Sequence, residues 1–438
     1  MLTRTGYITK DSPDIKKELT VRPIENAVGI RPPSFKVYRT DSKGNICIPR
    51  YYGTERFGKP TERRPEPVRA QIRFTGRLRD DTRQNEALDL FSKTESGGVL
   101  SLPCGYGKTT VALAIAGRLG VRTMIVVHKE FLANQWRERI QHFCPGATVG
   151  IVQGDRFELQ CDFVIAMIQT MCQREHPVGA FESIGLLIVD EAHHIGAPAF
   201  SQFMFKLCPK YTLGLTATPE RKDGLTRLLY WFLGPAFLTV ERENQQHVQV
   251  NKLAFDCEEF NSGPPINRMG KVSLVDIVNL LVGLEKRNQL IIDTVETCKS
   301  QGRRILILTD RRGHCFELEA AIQGSGLYIG GMKEKDLEES SKRQVIIATF
   351  SQAHEGLDIP CLDTVILATP HSDVKQAVGR ILRETKGKEN NPVIYDIVDH
   401  WSVLFAMWQK RLAMYRQSGF FCEAPANEPE APQACMFI

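Results

Sequence analysis

The chain of 438 residues has no apolar stretch approaching the ~18 residues needed to cross a bilayer, and its opening, MLTRTGYITKDSPD, lacks the apolar core of a signal peptide. The expectation is a soluble intracellular protein with no membrane partner. Its 12 cysteines include no CxxC pair, and its 10 histidines show no HExxH or paired metal spacing, so structural zinc is not expected. A net positive charge is lacking over most of the chain. Residues 1–80 hold 18 Lys and Arg against 9 Asp and Glu, whereas the remaining 358 hold 38 against 42. The segment after Phe421 carries three prolines and three glutamates with no basic residue, which marks 421–438 as a disordered tail.

What is present centres on Ser101 to Thr110, SLPCGYGKTT. The apolar run Gly97–Leu102 precedes it, and Val111, Leu113, Ala114 and Ala116 follow with the pattern of a packed helix, so the stretch reads as strand, loop, helix. In Pro103-Cys104-Gly105-Tyr106-Gly107 two glycines let the backbone turn tightly and aim consecutive N–H groups at one anion, with a helix N-terminus behind them. Lys108 adds a point charge for outer phosphates, and Thr109, followed by Thr110, adds a hydroxyl for Mg²⁺. Leu102 stands where the usual phosphate-loop pattern has an earlier glycine. Cys104 inside such a loop suits a reducing compartment.

Around this loop the chain alternates strand and helix patterns, which predicts a parallel sheet covered on both faces. Residues 1–74 form a small basic module with a hairpin predicted from Phe35–Tyr38 and Ile46–Ile48 about a turn at 41–45. Its Arg50, Tyr51, Tyr52, Arg56, Phe57 and Lys59 suit either stacking and phosphate contact with nucleic acid or docking on the neighbouring domain. A helix is expected over Leu78–Phe91, with Asp80 and Asp81 at its start and Gln84 in its first turns, where a side-chain amide can read an adenine edge. The strand Gly185–Val189 ends in Asp190-Glu191-Ala192-His193. Carboxylates at the end of a buried strand are costly unless they hold a metal or do chemistry, so Asp190 is the candidate water-mediated Mg²⁺ partner and Glu191 the candidate general base. A further strand, Tyr211–Leu215, ends in Thr216-Ala217-Thr218. After a seam at 241–275 a second α/β series follows without a second phosphate loop, and a helix over 400–417 carries an aromatic stripe expected in the core.

Four stretches therefore stand in fixed order: the phosphate loop, Asp190–His193, Thr216–Thr218, and Gln376-Ala377-Val378-Gly379-Arg380-Ile381-Leu382-Arg383. Together they resemble the superfamily 2 helicases over residues 75–415. The segments LPCGYGKT, VVHKEFLANQW, LGLTATPERKDGL and WFLG look most like the DEAH-box helicases of large DNA viruses, with the poxvirus transcript-release helicase and the xeroderma pigmentosum group B type as relatives. IPRYYGTERFGKP looks like that viral set too. The resemblance implies an α/β chain of two RecA-like P-loop NTPase domains in tandem, 75–240 and 241–420, with the N-terminal accessory module. It implies ATP and Mg²⁺ as cofactors, held by Lys108, Thr109 and Asp190, with Glu191 as catalytic base. His193, Thr216 and Thr218 would couple nucleotide to the strand-binding face. Gly356 and Asp358 in HEGLDIP would touch ribose and nucleic acid, and Gln376, Arg380 and Arg383 would supply the arginine fingers. A second domain with a sheet but no phosphate loop is suited to deliver positive charge.

The function expected first is an ATP-driven nucleic-acid translocase or helicase acting as a monomer, with DNA favoured over RNA because the chain has DEAH and the short QAVGRILR form. Transcription or replication machinery would be its protein partner. For a viral member the location is host cytoplasm or nucleus, and the virion. The alternatives are an RNA helicase or transcript-release factor on an RNA polymerase complex, and a non-hydrolysing clamp, against which Glu191, Arg380 and Arg383 together argue.

Overall fold

Thr123–Val127, Phe163–Met167 and Leu186–Val189 are unbroken aliphatic runs, the pattern of strands covered on both faces, and every residue in them is buried. The computed structural model describes residues 1–24, 32–103, 105–193, 197–217, 220–221, 223–241, 247–267, 270–355, 359, 361–382 and 390–422. It divides into two units, Met1–Glu241 and Arg242–Ile438.

In the first unit the N-terminal strands are β1 (Leu2–Thr3), β2 (Gly6–Lys10), β3 (Thr20–Val21), β4 (Phe35–Lys36), β5 (Arg39–Thr40) and β6 (Asn45–Ile48). The larger sheet has β7 (Gly97–Ser101), β8 (Thr123–Val127), β9 (Val149–Gln153), β10 (Arg156–Phe157), β11 (Phe163–Met167), β12 (Leu186–Val189), β13 (Tyr211–Thr216) and β14 (Ala236–Thr239). Its order is β10-β9-β11-β8-β12-β13-β7-β14, parallel except for β9 with β10. Register places Ser101 opposite Thr216 and Val189 opposite Gly214, so three strands end side by side at one edge. Side chains alternate between two cores. Leu100, Ile125, Val127, Ile188 and Leu215 pack under the helices Gln84–Lys93, Lys108–Leu119 and Glu130–Phe143, while Val99, Met124, Val126, Leu187 and Val189 face the other way.

That second core is shared with the N-terminal module, whose Leu2, Tyr7, Ile15, Leu19, Val37, Ile46, Ile48 and Tyr52 belong to the same cluster as Phe200, Leu228 and Phe232. The module's sheet runs β1-β2-β6-β5 and is antiparallel. The predicted hairpin is corrected in its pairing. Arg39 and Thr40 lie opposite Cys47 and Ile46, whereas Phe35 and Lys36 leave to pair with Val21 and Thr20, because Val37 turns into the core between them. The helix predicted over Leu78–Phe91 is also shorter at its start. Arg83 takes a left-handed φ of 56°, Asp80 to Arg83 form a turn, and the helix runs Gln84–Lys93.

The basic and aromatic residues of the module are used largely in docking. Arg50 donates to the carbonyls of Pro209 (3.1 Å) and Lys210 (2.9 Å), and the Tyr51 hydroxyl meets Ser96 O at 3.1 Å and Thr212 Oγ1 at 2.9 Å. Tyr52 packs edge-on against Trp231 at 5.1 Å, and Arg56 is bonded to Glu18 and Tyr52 inside the module. Lys59 reaches Glu95 at 3.2 Å on the surface, and Phe57 is partly exposed against Tyr7.

The second unit has β15 (Gln249–Phe255), β16 (Ile305–Thr309), β17 (Gly326–Tyr328), β18 (Val345–Thr349), β19 (Thr364–Leu367), β20 (Val393–Asp399) and β21 (Phe421–Cys422), in the order β17-β18-β16-β19-β20-β15-β21 and parallel throughout. Each unit is thus a RecA-like α/β domain. The helix Ser402–Gln417 buries Leu404, Trp408, Leu412 and Tyr415, so its aromatic stripe is core. Phe421 and Cys422, expected at the start of the tail, pair with Gln249 and Val250; residues 423–438 lie outside the described residues. Among the described residues no helix is long and apolar enough to cross a membrane.

Because the module completes a core, deleting residues 1–70 is expected to unfold the first unit instead of freeing a working motor. Tyr52→Ala should lower that unit's stability by about 3 kcal/mol. Chemical denaturation followed through the fluorescence of Trp231, its ring neighbour, checks both; a truncated protein with an unchanged midpoint would contradict the shared core.

Candidate functional site

The loop after β7 is shaped by positive-φ glycines. Gly105 has φ 85° and Gly107 φ 75°, and a Cβ on Gly107 would lie 2.5 Å from Gln84 Nε2. Only glycine meets both demands at 107. Gly107 precedes the helix Lys108–Leu119, whose first-turn N–H groups at Lys108, Thr109 and Thr110 have no partner within the helix and form an anion site. Tyr106 N donates to Pro103 O at 3.2 Å, closing the turn. Leu102, in place of the usual glycine, is fully buried beneath the loop; its carbonyl accepts from Lys108 Nζ at 3.1 Å, and its N–H donates to Thr216 O at 3.1 Å. Cys104 lies outside the described residues.

Gln84 is buried, donating to Tyr106 O at 2.9 Å and accepting from Arg79 N at 3.1 Å. Its amide braces the phosphate loop from behind. It takes this place because Arg83 turns the chain so that Gln84 becomes the first helical residue.

At the end of β12, Asp190 is buried. Its Oδ2 accepts from the indole N–H of Trp136 at 2.8 Å and its Oδ1 from the backbone N–H of Glu191 at 3.0 Å. Burial, followed by the neighbouring Glu191 charge, pushes its pKa up to about 6. Glu191 holds a left-handed φ of 43°, a strained position for a residue with a Cβ and one that recurs at working sites. His193 Nδ1 lies 2.8 Å from Thr216 Oγ1 and 3.5 Å from Glu191 Oε2. The three strand ends are therefore joined, Leu102 to Thr216 and Thr216 to His193, with the buried Glu191 Oε2 beside the His193 ring but accepting no hydrogen bond among the described residues.

Three residues that sequence reasoning left without a role also belong here. Trp136 holds Asp190. Arg221 is buried, paired with Asp223 at 2.6 Å, and donates to Ala192 O at 3.4 Å within the Asp190–His193 segment. His128, at the end of β8, is held below its ordinary pKa by burial and by Lys129, with Asp190 and Glu191 pulling the other way. The sequence carried a signal for them: His128 and Trp136 lie in VVHKEFLANQW and Arg221 in LGLTATPERKDGL, segments that carry the family resemblance.

In the second unit Arg380 follows the helix Lys375–Gly379 and donates through Nε to Ala353 O at 2.9 Å. Thr218, Gly356, Asp358 and Arg383 lie outside the described residues, as does the side chain of Gln376.

The donors near the loop fit a triphosphate with Mg²⁺. Thr109 and Asp190 offer hard oxygen ligands, and among the described residues no group of three or more His, Cys, Asp and Glu is placed to hold a metal by itself. Mg²⁺ commonly takes one or two protein oxygens and completes its shell with phosphates and water.

Comparison with known proteins bears on the same residues. The family described as type III restriction enzyme, res subunit, matches residues 69–221. "Putative ATP-dependent RNA helicase L396" of Acanthamoeba polyphaga mimivirus is 33% identical over 424 residues, covering 91% of this chain and 81% of the relative. The chain belongs to the superfamily 2 helicases. This helicase is also 28% identical over 376 residues to "Putative helicase 161L" of Invertebrate iridescent virus 6, covering 79% of this chain and 82% of that protein. It is 24% identical over 365 residues to "Putative ATP-dependent RNA helicase QP509L" of African swine fever virus (strain Badajoz 1971 Vero-adapted), covering 75% and 71%.

The pH dependence of the helicase follows from Asp190. Its carboxyl is raised to about 6 and must be ionised to face a cation, so Mg²⁺-dependent ATPase activity should fall as pH drops through about 6. Proton and cation compete, so the fall should begin at higher pH in low Mg²⁺ than in saturating Mg²⁺. Paired pH profiles at the two concentrations check this, and coincident profiles would contradict it.

Proposed function

We propose that this helicase hydrolyses ATP in its first unit and uses the cycle to translocate along one strand of nucleic acid, with DNA preferred. The observation that carries the proposal is the bonded chain from Leu102 through Thr216 to His193, whose ring lies 3.5 Å from the Glu191 carboxylate. A phosphate loop tied in this way cannot rearrange around a nucleotide without moving the ends of β12 and β13, which is the coupling a motor needs.

Within this reading Lys108 neutralises the outer phosphates and the first helical turn receives them. Mg²⁺, when bound, offsets charge on the phosphates. Glu191 accepts a proton from the attacking water, and its strained backbone keeps the carboxylate at that place. Arg380 and Arg383 are the finger candidates, and such residues contribute about 10³ to 10⁵ in rate. The DEAH sequence and the short QAVGRILR form support DNA. A second reading, action on RNA, is supported by the names of the mimivirus and African swine fever virus relatives, both called ATP-dependent RNA helicases.

An ATPase assay with single-stranded DNA, duplex, forked DNA and RNA tests both. Stimulation by single-stranded and forked DNA above RNA is expected; stimulation by RNA alone would replace the DNA reading with the RNA one, and no stimulation by any of them would sink the translocase reading. Glu191→Gln should retain ATP binding while turnover falls by at least about 10². Wild-type turnover in that variant would remove the general-base role.

A further inference from the structure

Four aspartates are buried among the described residues: Asp190, Asp363, Asp396 and Asp399. Three of them lie against guanidinium groups. Arg287 grips Asp399 with bonds of 2.7 and 3.0 Å, Arg411 grips Asp396 at 2.8 and 2.7 Å, and Arg303 lies 3.7 Å from Asp363. Asp190 is held differently. Its two bonds come from neutral donors, the Trp136 indole and the Glu191 backbone, and among the described residues no ion pair reaches it within 4.0 Å. A guanidinium there would neutralise the carboxylate and occupy its lone pairs, as in the second unit. An indole N–H fixes one oxygen and leaves the charge unspent.

We propose that Trp136 is a positioning residue for the metal end of the site, acting through Asp190. The inference rests on the reading of Asp190 as the Mg²⁺ partner. Trp136 is suited to the task because its ring is buried on the face of the helix Glu130–Phe143 that also buries Leu132, Ala133 and Ile140, with its N–H on Asp190. Indole has a single donor and no acceptor, so it cannot exchange roles with the carboxylate or bind the cation itself. Partners of this kind, which orient a metal ligand without touching the metal, change metal affinity by about 10- to 100-fold when removed. The bond also ties Asp190 to a helix that starts at the same sheet edge, just after His128 and Lys129, so the metal end is tied to that helix as well as to the loop.

The test uses the full chain labelled with ¹⁵N-tryptophan, whose four tryptophans give four indole N–H signals. The Trp136 signal is assigned by replacing Trp231, Trp401 and Trp408 by Phe in turn. It is expected to move when Mg²⁺ is added to the ADP-bound protein, and more than the other three. Trp136→Phe, which keeps most of the ring and loses the donor, should weaken Mn²⁺ binding to the ADP complex by about tenfold or more, read by electron paramagnetic resonance, while metal-free ADP affinity holds. A folded Trp136→Phe protein that binds Mn²⁺ as tightly as wild type would overturn the proposal. Should that variant not fold, a wild-type Trp136 signal indifferent to Mg²⁺ would overturn it as well. Asp190→Asn separates the two levels: if it weakens Mn²⁺ and Trp136→Phe does not, the role of Trp136 alone fails, and if neither does, the metal reading of Asp190 fails with it.

Discussion

Parallel register is the constraint on which the first unit's chemistry depends. β13 lies between β7 and β12, with Thr216 opposite Ser101 and Gly214 opposite Val189. A slip of one residue between β13 and either neighbour would turn its side chains to the opposite face and carry Thr216 away from His193. The register is enforced from both sides, because alternate residues of the same strands fill two separate cores. The site inherits its geometry from packing well away from any phosphate.

Charge is handled in two ways within one chain. In the second unit buried carboxylates are matched with arginines, and the Asp396 pair is completed by the Tyr415 hydroxyl at 2.9 Å. Such pairs tie elements together at little net gain in stability. In the first unit the buried Asp190 has no such pair, and burial, followed by the Glu191 charge beside it, raises its pKa to about 6, with Lys108 pulling the other way. A buried carboxylate without a matched cation is costly to keep ionised. The left-handed backbone of Glu191 beside it is a second local cost at the same place.

The phosphate loop, the Asp190–His193 segment and Thr216 were legible in the sequence because their chemistry is local: glycines beside a lysine, carboxylates at a strand end. The alternation of strand and helix in both units was legible for the same reason. What could not be read were contacts between distant segments. The bond from Trp136 to Asp190 spans 54 positions, and that from Tyr51 to Thr212 spans 161. The start of the helix at Gln84 was missed because a single left-handed residue, Arg83, redirects the chain before it. The β4–β3 pairing was missed because its partner lies upstream of the predicted turn. The positive charge of the N-terminal segment suited either a polyanion surface or docking, and Arg50, Arg56 and Lys59 are bonded to backbone carbonyls and glutamates.

The shared core of the N-terminal module has a consequence for how the chain is made. Synthesis runs from the N-terminus at about 5–20 residues per second. Tyr52 leaves the ribosome long before Trp231, and Arg50 long before Pro209 and Lys210, so the surfaces that cover the module appear on the order of ten seconds later. Through that interval its apolar side chains have no place to go, and the segment is exposed to whatever binds nascent chains. The module is thus made well before it can be enclosed, and the first unit closes only when the helix Thr226–Leu233 has been delivered.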